Sequence, residues 1–394
     1  MTAPGDSGTP LAGAAYEMDL FALPGALVSV GRVLRDRNTR RRATLRRENV
    51  GLERECPTCS GSIGDKVNSK PSTSTVEPAI GARRGPPATE TAFRFSGHQT
   101  FPLRIAWIPK AVAAIVAGQD PLTDIDEGIT TLGLGKNMVE ALRCWIEAFQ
   151  IAIRDENAWQ LTHVGKLVFH PTEGLDPHLE DVASAWLLHW LICTNTKAPF
   201  FAWECVFNRW AFTEFTATQV LDVFDQETRK TPKPVSIVTQ RQHWEVFLHS
   251  YRPPRATKGE DHLDSALSAL RLIREVGERP NASGRWEALL AFDVGRKSAI
   301  PQQLFAFFLH DWWNWNFPQE HTVPLREIIN GERSPGRLLK MSEAETLQRV
   351  GELAERQSNP FRIIESTSLR QLHRLKADQG HDDLRAAFQA PRFL

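Results

Sequence analysis

The sequence predicts a mainly helical protein that opens with a winged-helix-like unit carrying a short β wing. A helical domain follows, and the C-terminal part is expected to be helical with a second winged-helix-like unit. Three observations lead to this. Apolar residues recur at helical spacing along most of residues 93–394. Residues 121–169 are patterned as helix, turn, helix, two short strands and helix. The chain also contains 21 Phe and 12 Trp, enough large apolar side chains for a sizeable core.

Residues 1–92 differ in composition from the rest and predict a disordered leader. Stretches rich in Gly, Pro, Ser and Thr flank an arginine run at residues 32–54. Such a composition buries too little apolar surface to offset the entropy of ordering. The arginine run is either a nucleic-acid-binding arm or a solvated tail, and translation beginning further downstream is a third alternative. Cys56 and Cys59 resemble half of a zinc ribbon, but no second pair lies nearby, so no metal is predicted.

Residues 93–170 form the predicted winged-helix-like domain. A first helix is expected near Pro109, and a second over Ile125–Leu132 ends at a glycine-containing turn. The third helix covers residues 136–149. Two apolar runs around a polar turn (Asp155, Glu156 and Asn157) predict the wing, and the segment Leu161-Thr162-x-x-Gly165 begins a further helix.

The third helix is the predicted DNA-reading element. Its apolar residues recur at spacings of three and four and face inward, while its polar residues share the opposite side. Lysine and arginine suit phosphate or guanine, and asparagine suits adenine. Any amphipathic helix exposes such residues, so the prediction of DNA contact depends on the β wing that follows this helix. The predicted DNA contacts are Lys136, Asn137 and Arg143, with Lys166 and the wing turn near the backbone.

A second candidate motif lies at the start of the first domain. Polar groups, glycine and aromatics alternate from Ser96 to Phe101, and the candidate functional residues are His98, Gln99, Thr100 and Arg104. His98 is either a catalytic base or ligand, or else a hydrogen-bonded packing residue. The absence of a second His or carboxylate at ligand spacing favours packing. The sequence Gly133 to Lys136 is not a phosphate-binding loop, because the required glycine is replaced by Thr130.

The remaining residues predict a helical domain over 171–252 and a C-terminal domain over 262–394. In the first, one helix is expected to be capped by Asp176 and another by Thr216. The charged, proline-rich loop at 252–261 is the predicted boundary. Beyond it, residues 262–276 are amphipathic, Ser342 and Glu345 have capping-box spacing, and a strand at 361–364 precedes a closing helix that ends near residue 375.

Charge and cysteine usage exclude some classes of protein. The 47 basic and 47 acidic residues cancel, so any DNA contact must come from a local patch rather than from a whole-protein field. The five cysteines show no disulfide framework, which is typical of a reducing compartment. No signal peptide or membrane span is recognisable. The sequence therefore predicts a cytoplasmic protein with no membrane partner, no metal and no cofactor.

Several segments together resemble the Domain of Unknown Function 4007 family of bacterial proteins. They are FRFSGHQTFPLR, TLGLGKNMVEALRCW, LTHVGKLVF, LEDVASAWLLHWLI and SPGRLLKMSEAETLQRV, in that order between Phe93 and Leu375. The family begins close to its SGHQTF-type segment, so the 92-residue leader departs from the pattern. The resemblance implies a phage-defence or DNA-modification context, beside sulfotransfer-type proteins of DNA phosphorothioation systems. It supplies no catalytic residues.

The leading expectation is a non-enzymatic DNA-binding accessory protein of a bacterial DNA-modification or phage-defence system, with DNA and other defence proteins as partners. The alternative is a scaffold that holds partner defence proteins without touching DNA. A third hypothesis is an unrecognised nuclease or modification enzyme that acts through His98, Gln99 and nearby acids.

Overall fold

The computed structural model describes residues 93–155, 158–252, 265–355, 360–366, 369–375 and 380–389. The leader with its arginine run, Cys56 and Cys59 lies outside these residues, as do Glu156 and Asn157 of the predicted wing turn. The described chain combines many helices with three small antiparallel sheets. The prediction of a mainly helical protein is therefore right about the helices and too low in strand content.

The first part of the chain has four helices and a hairpin in the predicted order. The elements are α1 (Trp107–Val116), α2 (Ile125–Leu132), α3 (Lys136–Ala148), β1 (Ala152–Arg154), β2 (Trp159–Leu161) and α4 (His163–Phe169). Strands β1 and β2 pair antiparallel. The Asp124 side chain caps α2 by accepting from the backbone N–H groups of Asp126 and Glu127. Gly133 ends α2 in the left-handed conformation, with φ of 63°.

The middle of the chain surrounds a buried helix. Its elements are α5 (Val182–Cys193), α6 (Phe201–Trp203), a π-helix over Glu204–Arg209, β3 (Glu214–Thr216), α7 (Ala217–Thr228) and α8 (Ile237–Tyr251). Every residue of α5 from Ala183 to Cys193 is buried. The helix therefore packs on all sides rather than presenting a single apolar stripe. Thr216 caps α7 in a capping box with Gln219, as the sequence predicts.

A short 3₁₀ turn (Ser268–Leu270) leads into the hairpin of β4 (Ile273–Pro280) and β5 (Trp286–Phe292). Strand β5 pairs with both β4 and β3, so the sheet order is β3-β5-β4. One sheet thus takes its strands from both sides of the loop at which the sequence predicts a domain boundary.

The last part of the chain contains a second three-stranded sheet. Its elements are α9 (Gln302–Asn316), β6 (Thr322–Pro324), α10 (Leu325–Asn330), α11 (Pro335–Leu338), α12 (Glu343–Ala354), β7 (Phe361–Glu365), β8 (Arg370–Arg374) and α13 (Gly380–Ala387). The order of its strands is β6-β8-β7. Ser342 caps α12 by accepting from the backbone N–H of Glu345, and β7 confirms the predicted strand.

The core is continuous and strongly aromatic. Buried apolar side chains from α1 to α13 form one cluster. Its largest fully buried members include five indole rings: Trp145, Trp190, Trp203, Trp244 and Trp313. Each removes a large apolar area from water, at about 25 cal/mol per Å². Within the described residues, no helix is both long and apolar enough to cross a membrane.

Three local predictions are wrong. Asp176 does not cap α5; that helix begins after Asp181, whose carboxylate accepts from the Ala183 N–H. Asp176 instead holds the preceding turn through the N–H groups of Glu180 and Asp181. Residues 273–276 belong to β4 rather than to an amphipathic segment of helical period, and residues 370–374 form β8 rather than a closing helix. In both segments, strand pairing overrides a helical pattern.

Candidate functional site

Helix α3 presents a polar face to solvent. Lys136 and Asn137 at its N-terminus are exposed, and Arg143 is half-buried one and a half to two turns further along. The opposite face is fully packed, with Val139, Leu142 and Ile146 among the buried residues. The predicted division of this helix into an inward apolar side and an outward polar side is confirmed.

The segment at residues 94–101 lies against α3. The Gln99 side-chain amide donates to Glu140 at 2.8 Å, and the Arg94 guanidinium pairs with Glu147 at 3.3 Å. The indole N–H of Trp145 donates to the carbonyl of Phe101 at 3.0 Å. Two motifs that the sequence singles out separately are therefore joined by the fold into one surface.

The backbone of this segment is unusual. Gly97, Gln99 and Thr100 all have positive φ, at 107°, 46° and 65°. At Gly97 there is also no room for a side chain, because an added Cβ would lie 2.8 Å from Sγ of Cys144. Two successive non-glycine residues in the left-handed region cost free energy that the surroundings must supply. Such outliers concentrate at functional sites, and this one lies at the edge of a cleft.

The cleft has a volume of about 320 Å³ and is bounded by the 94–99 segment, α3 and the β1–β2 hairpin. Its charged lining residues are three arginines and two glutamates: Arg94, Arg143, Arg154, Glu140 and Glu147. Both glutamates accept hydrogen bonds from the 94–99 segment. Arg143 and Arg154 make no ion pair with another described residue. The cleft can therefore offer two guanidinium groups to an anion, and guanidinium binds phosphate in a bidentate manner.

His98 points away from the cleft into the core. Its side chain is 3% exposed, and its Nε2 lies 3.1 Å from Nδ1 of His243. The backbone N–H of Ala202 donates to Nε2 of His243, so Nδ1 of the neutral His243 ring carries the proton and donates it to His98. Burial, and secondarily Arg94, lowers the pKa of His98 to about 4. His98 is thus a neutral packing residue at pH 7, the second of the two readings of its sequence.

The other predicted residues are dispersed. Thr100 is exposed in the strained segment, and Lys166 is exposed on α4, outside the cleft lining. Arg104 stacks on the rings of Phe101 and Trp107, with its guanidinium carbon 5.9 Å and 5.8 Å from their centroids. Arg104 therefore belongs to a packing contact near α1 and is not brought to the cleft.

Five residues that line the cleft are not among those that the sequence predicts for a functional site: Arg94, Cys144, Glu147, Arg154 and Trp159. A signal existed for one of them, since Glu147 follows Glu140 by seven residues and so returns to the same face of α3. The contribution of Arg94 and Arg154 depends on chain segments remote in sequence, for which no local pattern gives an indication.

The described residues offer little for metal-ion or thiol chemistry. Among them, no group of three or more His, Cys, Asp or Glu side chains is placed to hold a metal ion. Cys144 reaches the cleft wall, but burial raises the pKa of its thiol to about 12. A thiol with that pKa is protonated at neutral pH and is a poor nucleophile.

Two solved structures share this fold. One is described as "SspB crystal structure"; it is 23% identical, has a TM-score of 0.64, and the match covers 75% of this chain and 88% of that one. The other is described as "Magnesium ion-bound SspB crystal structure", at 22% identity, a TM-score of 0.64, and coverage of 76% and 92%. Identities this low establish similarity of fold alone.

No match is found among curated proteins. The model of one protein family matches residues 95–387, which include the strained segment, α3, the hairpin and both three-stranded sheets. Because the match spans the bulk of the chain, the protein belongs to the family described as protein of unknown function (DUF4007).

Proposed function

We propose that the protein binds duplex DNA through the exposed face of α3 and the neighbouring hairpin. The biological setting we propose is a bacterial DNA-modification system of the phosphorothioation type, or a phage-defence system, in which the protein is an accessory component. The single observation that carries the proposal is the cleft beside α3, where Arg143 and Arg154 face solvent in front of a helix with an exposed Lys136 and Asn137.

The order of elements supports this proposal. A winged-helix module has a helix, a turn and a second helix that enters the major groove, followed by a β wing. Helices α1, α2 and α3 followed by the β1–β2 hairpin have this order. We therefore assign α3 as the recognition helix and the hairpin as the wing.

The chemistry of the exposed residues fits a duplex. Asn137 stands at the N-terminal end of α3, the part of a recognition helix that usually meets base edges, and Lys136 beside it suits a backbone phosphate. Arg143 and Arg154 both line the cleft and suit backbone phosphates, and Lys166, outside the cleft lining, is a further exposed cation on α4. Since the whole chain has a net charge of zero, this local patch is the source of the attraction.

A second candidate function is a scaffold for other defence proteins. It is favoured by Glu140 and Glu147, which put two carboxylates on the same face as the arginines. Mixed charge of this kind suits a protein partner as well as DNA. A duplex would have to displace or pass the Arg94–Glu147 pair, whereas a protein surface could add to it.

The description of one similar structure as magnesium-bound raises the question of a metal ion here. The cleft does not fit a dedicated magnesium site. Glu140 and Glu147 are seven residues apart, roughly 10 Å along the helix axis, whereas Mg²⁺ ligands stand about 2.1 Å from the ion. Each carboxylate is also engaged by Gln99 or Arg94. We therefore derive no reaction step through magnesium from these residues.

The test is the salt dependence of DNA affinity for the full chain. Binding to a labelled duplex is measured by fluorescence anisotropy over a salt series, for the wild type and for the double variant Lys136→Ala/Arg143→Ala. Each lost phosphate contact lowers the slope of log K against log [salt] by about one. We expect the double variant to bind more weakly, with a slope smaller by about two.

A matched control removes two exposed arginines elsewhere, Arg326→Ala/Arg385→Ala on α10 and α13. This control should leave the slope unchanged. An unaltered slope in the α3 variant would exclude this helix. Absence of DNA binding at low salt, with a defence protein recovered by the full chain, would favour the scaffold. Magnesium-dependent cleavage of plasmid DNA that is lost in Glu140→Gln would instead favour the enzymatic hypothesis.

A further inference from the structure

The two three-stranded sheets are built in the same way. In each, a three-residue strand runs directly into a helix: β3 ends at Thr216 where α7 begins, and β6 ends at Pro324 where α10 begins. The other two strands of each sheet come from a hairpin later in the chain. The second strand of that hairpin is the central strand of the sheet. The resulting orders, β3-β5-β4 and β6-β8-β7, are identical in topology.

The helices inside these two segments also correspond. Two helices lie between the first strand and the hairpin in one segment, α7 and α8; in the other, α10 and α12 flank the short α11. The first part of the chain has the same order without the initial strand: α2, α3 and the β1–β2 hairpin. In this comparison α3, α8 and α12 take equivalent places, each being the last described α-helix before a hairpin.

The exposed faces of these three helices differ in charge. Residues 228–244, which cover the turn before α8 and its first half, contain four cations and no acidic residue: Arg229, Lys230, Lys233 and Arg241. Lys233, Arg241 and Gln242 are exposed. Arg229 and Lys230 are paired with carboxylates of α7, at 2.7 Å and 2.6 Å, so Lys233 and Arg241 carry the local positive charge.

Helix α12 has the opposite character. Its exposed residues include Glu343, Gln348, Glu352 and, just beyond its end, Glu355. Its arginine, Arg349, is buried and paired with Glu345 at 2.7 Å. A surface of this charge repels phosphate, which makes α12 the natural negative comparison for α8.

Helix α8 also exposes apolar side chains where base edges would be met. Ile237 is 46% exposed and Val238 is 61% exposed, both in the first turn. Arg241 and Gln242 lie three and four residues after Val238, so both share its side of the helix. Aliphatic groups contact the thymine methyl and glutamine pairs with adenine, while an arginine beside them suits a backbone phosphate. This combination is chemically suited to the major groove.

We infer that α8, with the basic turn before it, is a second duplex-DNA-binding surface of this protein, equivalent in place to α3. The inference rests on the proposed function in one respect, namely that DNA is the partner. It adds that the chain contacts DNA at two separated helices and not at the third, α12. Lys233 and Arg241 supply phosphate contacts, and Val238 with Gln242 faces the bases.

The experiment uses the full chain and a random-sequence labelled duplex, with anisotropy measured over a salt series. Four proteins are compared with the wild type: Lys233→Ala/Arg241→Ala on α8, Lys136→Ala/Arg143→Ala on α3, the four substitutions together, and the control Arg326→Ala/Arg385→Ala. Circular dichroism checks that each protein is folded. We expect the α8 variant to lose about two in the salt slope, the α3 variant about two, and the combined variant about four.

The outcomes separate the two proposals. A reduced slope for α3 with an unchanged slope for α8 overturns the second surface and leaves the first in place; the α8 turn would then suit an acidic protein instead. A reduced slope for α8 alone supports the second surface and removes α3 as a DNA contact. Wild-type protein that does not bind DNA at low salt overturns both.

Discussion

Gly97 shows at the scale of one residue how the candidate site is held. Its φ of 107° is unfavourable for any side chain, and an added Cβ would meet Cys144 and Arg94 at 2.8 Å and 2.9 Å. We expect Gly97→Ala to lower the free energy of unfolding by about 1–3 kcal/mol. Because the same change pushes on the Arg94 guanidinium, it should also reduce DNA affinity. Urea denaturation and anisotropy measure the two effects.

Gly118→Ala is the matched control for that substitution. Gly118 has φ of 77°, but nothing lies within 4 Å of its added Cβ. This variant has backbone strain without a steric conflict. It should therefore lower the free energy of unfolding less than Gly97→Ala does, and it should leave DNA affinity unchanged. Equal losses in both variants would mean that close packing at Gly97 has no role.

Lys340 provides a pH-dependent prediction. Burial lowers the pKa of its amine to about 7, and Nζ donates to the Phe207 carbonyl at 3.0 Å. In the unfolded chain the pKa of a lysine is about 10.4. Between these values the unfolded state binds more protons than the folded state, so stability due to this residue rises with pH. Relative to Lys340→Met, the wild type should gain about 1.4 kcal/mol per pH unit between pH 8 and 10.

That prediction is checked by chemical denaturation of both proteins at several pH values. Lys297→Met, which removes an amine that donates to Asp293 at 2.9 Å, is a comparison on a neighbouring loop. If the difference in unfolding free energy between wild type and Lys340→Met is constant across this pH range, the Lys340 amine stays charged in the folded protein.

The residues of the site differ in how well the sequence predicts their positions. The polar face of α3 followed from helical spacing, and Lys136, Asn137 and Arg143 were found in that way. The contact of Gln99 with Glu140 was not predictable, because it joins residues 41 positions apart. His98 illustrates a related difficulty: its neighbours in sequence are polar, yet its ring is buried against His243, 145 positions away.

At the level of the secondary-structure elements, Thr162 joins the β1–β2 hairpin to α4. Its Oγ1 accepts from the N–H of Gly165 at 3.0 Å and donates to the Gln150 carbonyl at 2.7 Å, at the end of α3. We expect Thr162→Ala to lower the free energy of unfolding by about 1–2 kcal/mol, since a cap and a partly buried hydrogen bond are lost together. Thr162→Ser, which keeps the hydroxyl, should cost much less. Thermal and urea denaturation compare them, and equal losses would assign the effect to the methyl group.

The sequence predicts a helix correctly where capping residues mark both of its ends. It does not predict a strand whose conformation depends on pairing with a distant part of the chain. Asp124 and Gly133 define α2 by a cap at each end, and both can be read from sequence. Strands β4 and β8 could not be recognised as strands, because their residues also fit a helical period. Strand β8 is central in its sheet, with β6 on one side and β7 on the other, so its conformation depends on partners up to about fifty residues away.

At the scale of the whole molecule, Glu204 and Arg333 link distant parts of the chain. Nη2 of Arg333 lies 2.9 Å from Oε2 of Glu204, which is 5% exposed. Burial raises the pKa of the Glu204 carboxyl, but Arg333, Asn208 and Arg209 lower it below its usual value overall. Arg333→Met leaves a buried carboxylate without its main partner, and we expect a loss of about 3–5 kcal/mol in unfolding free energy.

The pH dependence of that loss has a definite sign. In the wild type, a depressed folded-state pKa contributes stability above the unfolded value of about 4.3, and this is lost as the pH falls. Without Arg333 the carboxyl no longer has its main reason to stay ionised, so the destabilisation should shrink as the medium approaches pH 4. The double variant Glu204→Gln/Arg333→Met should recover part of the loss at pH 7. A loss independent of pH would assign it to packing against Trp315 instead.

The whole-molecule architecture was the part least accessible to sequence. The aromatic content predicted a large core, and the core is indeed continuous. The matching topology of the two three-stranded sheets was not predictable, since the segments 214–292 and 322–374 share no fixed-period repeat in sequence. Their likeness lies in strand order, which is set by long-range pairing.

Contact between the α3 face and DNA can be measured through the chemical reactivity of individual lysines in the full chain, with and without duplex DNA. Mass spectrometry after brief acylation reports each amine separately. Lys136 and Lys166 should become several-fold less reactive when DNA is bound, while Lys110, whose amine donates to the Leu132 carbonyl at 3.0 Å, serves as a reference and should not change. Unchanged reactivity of Lys136 when the protein is saturated with duplex would contradict DNA contact by the α3 face.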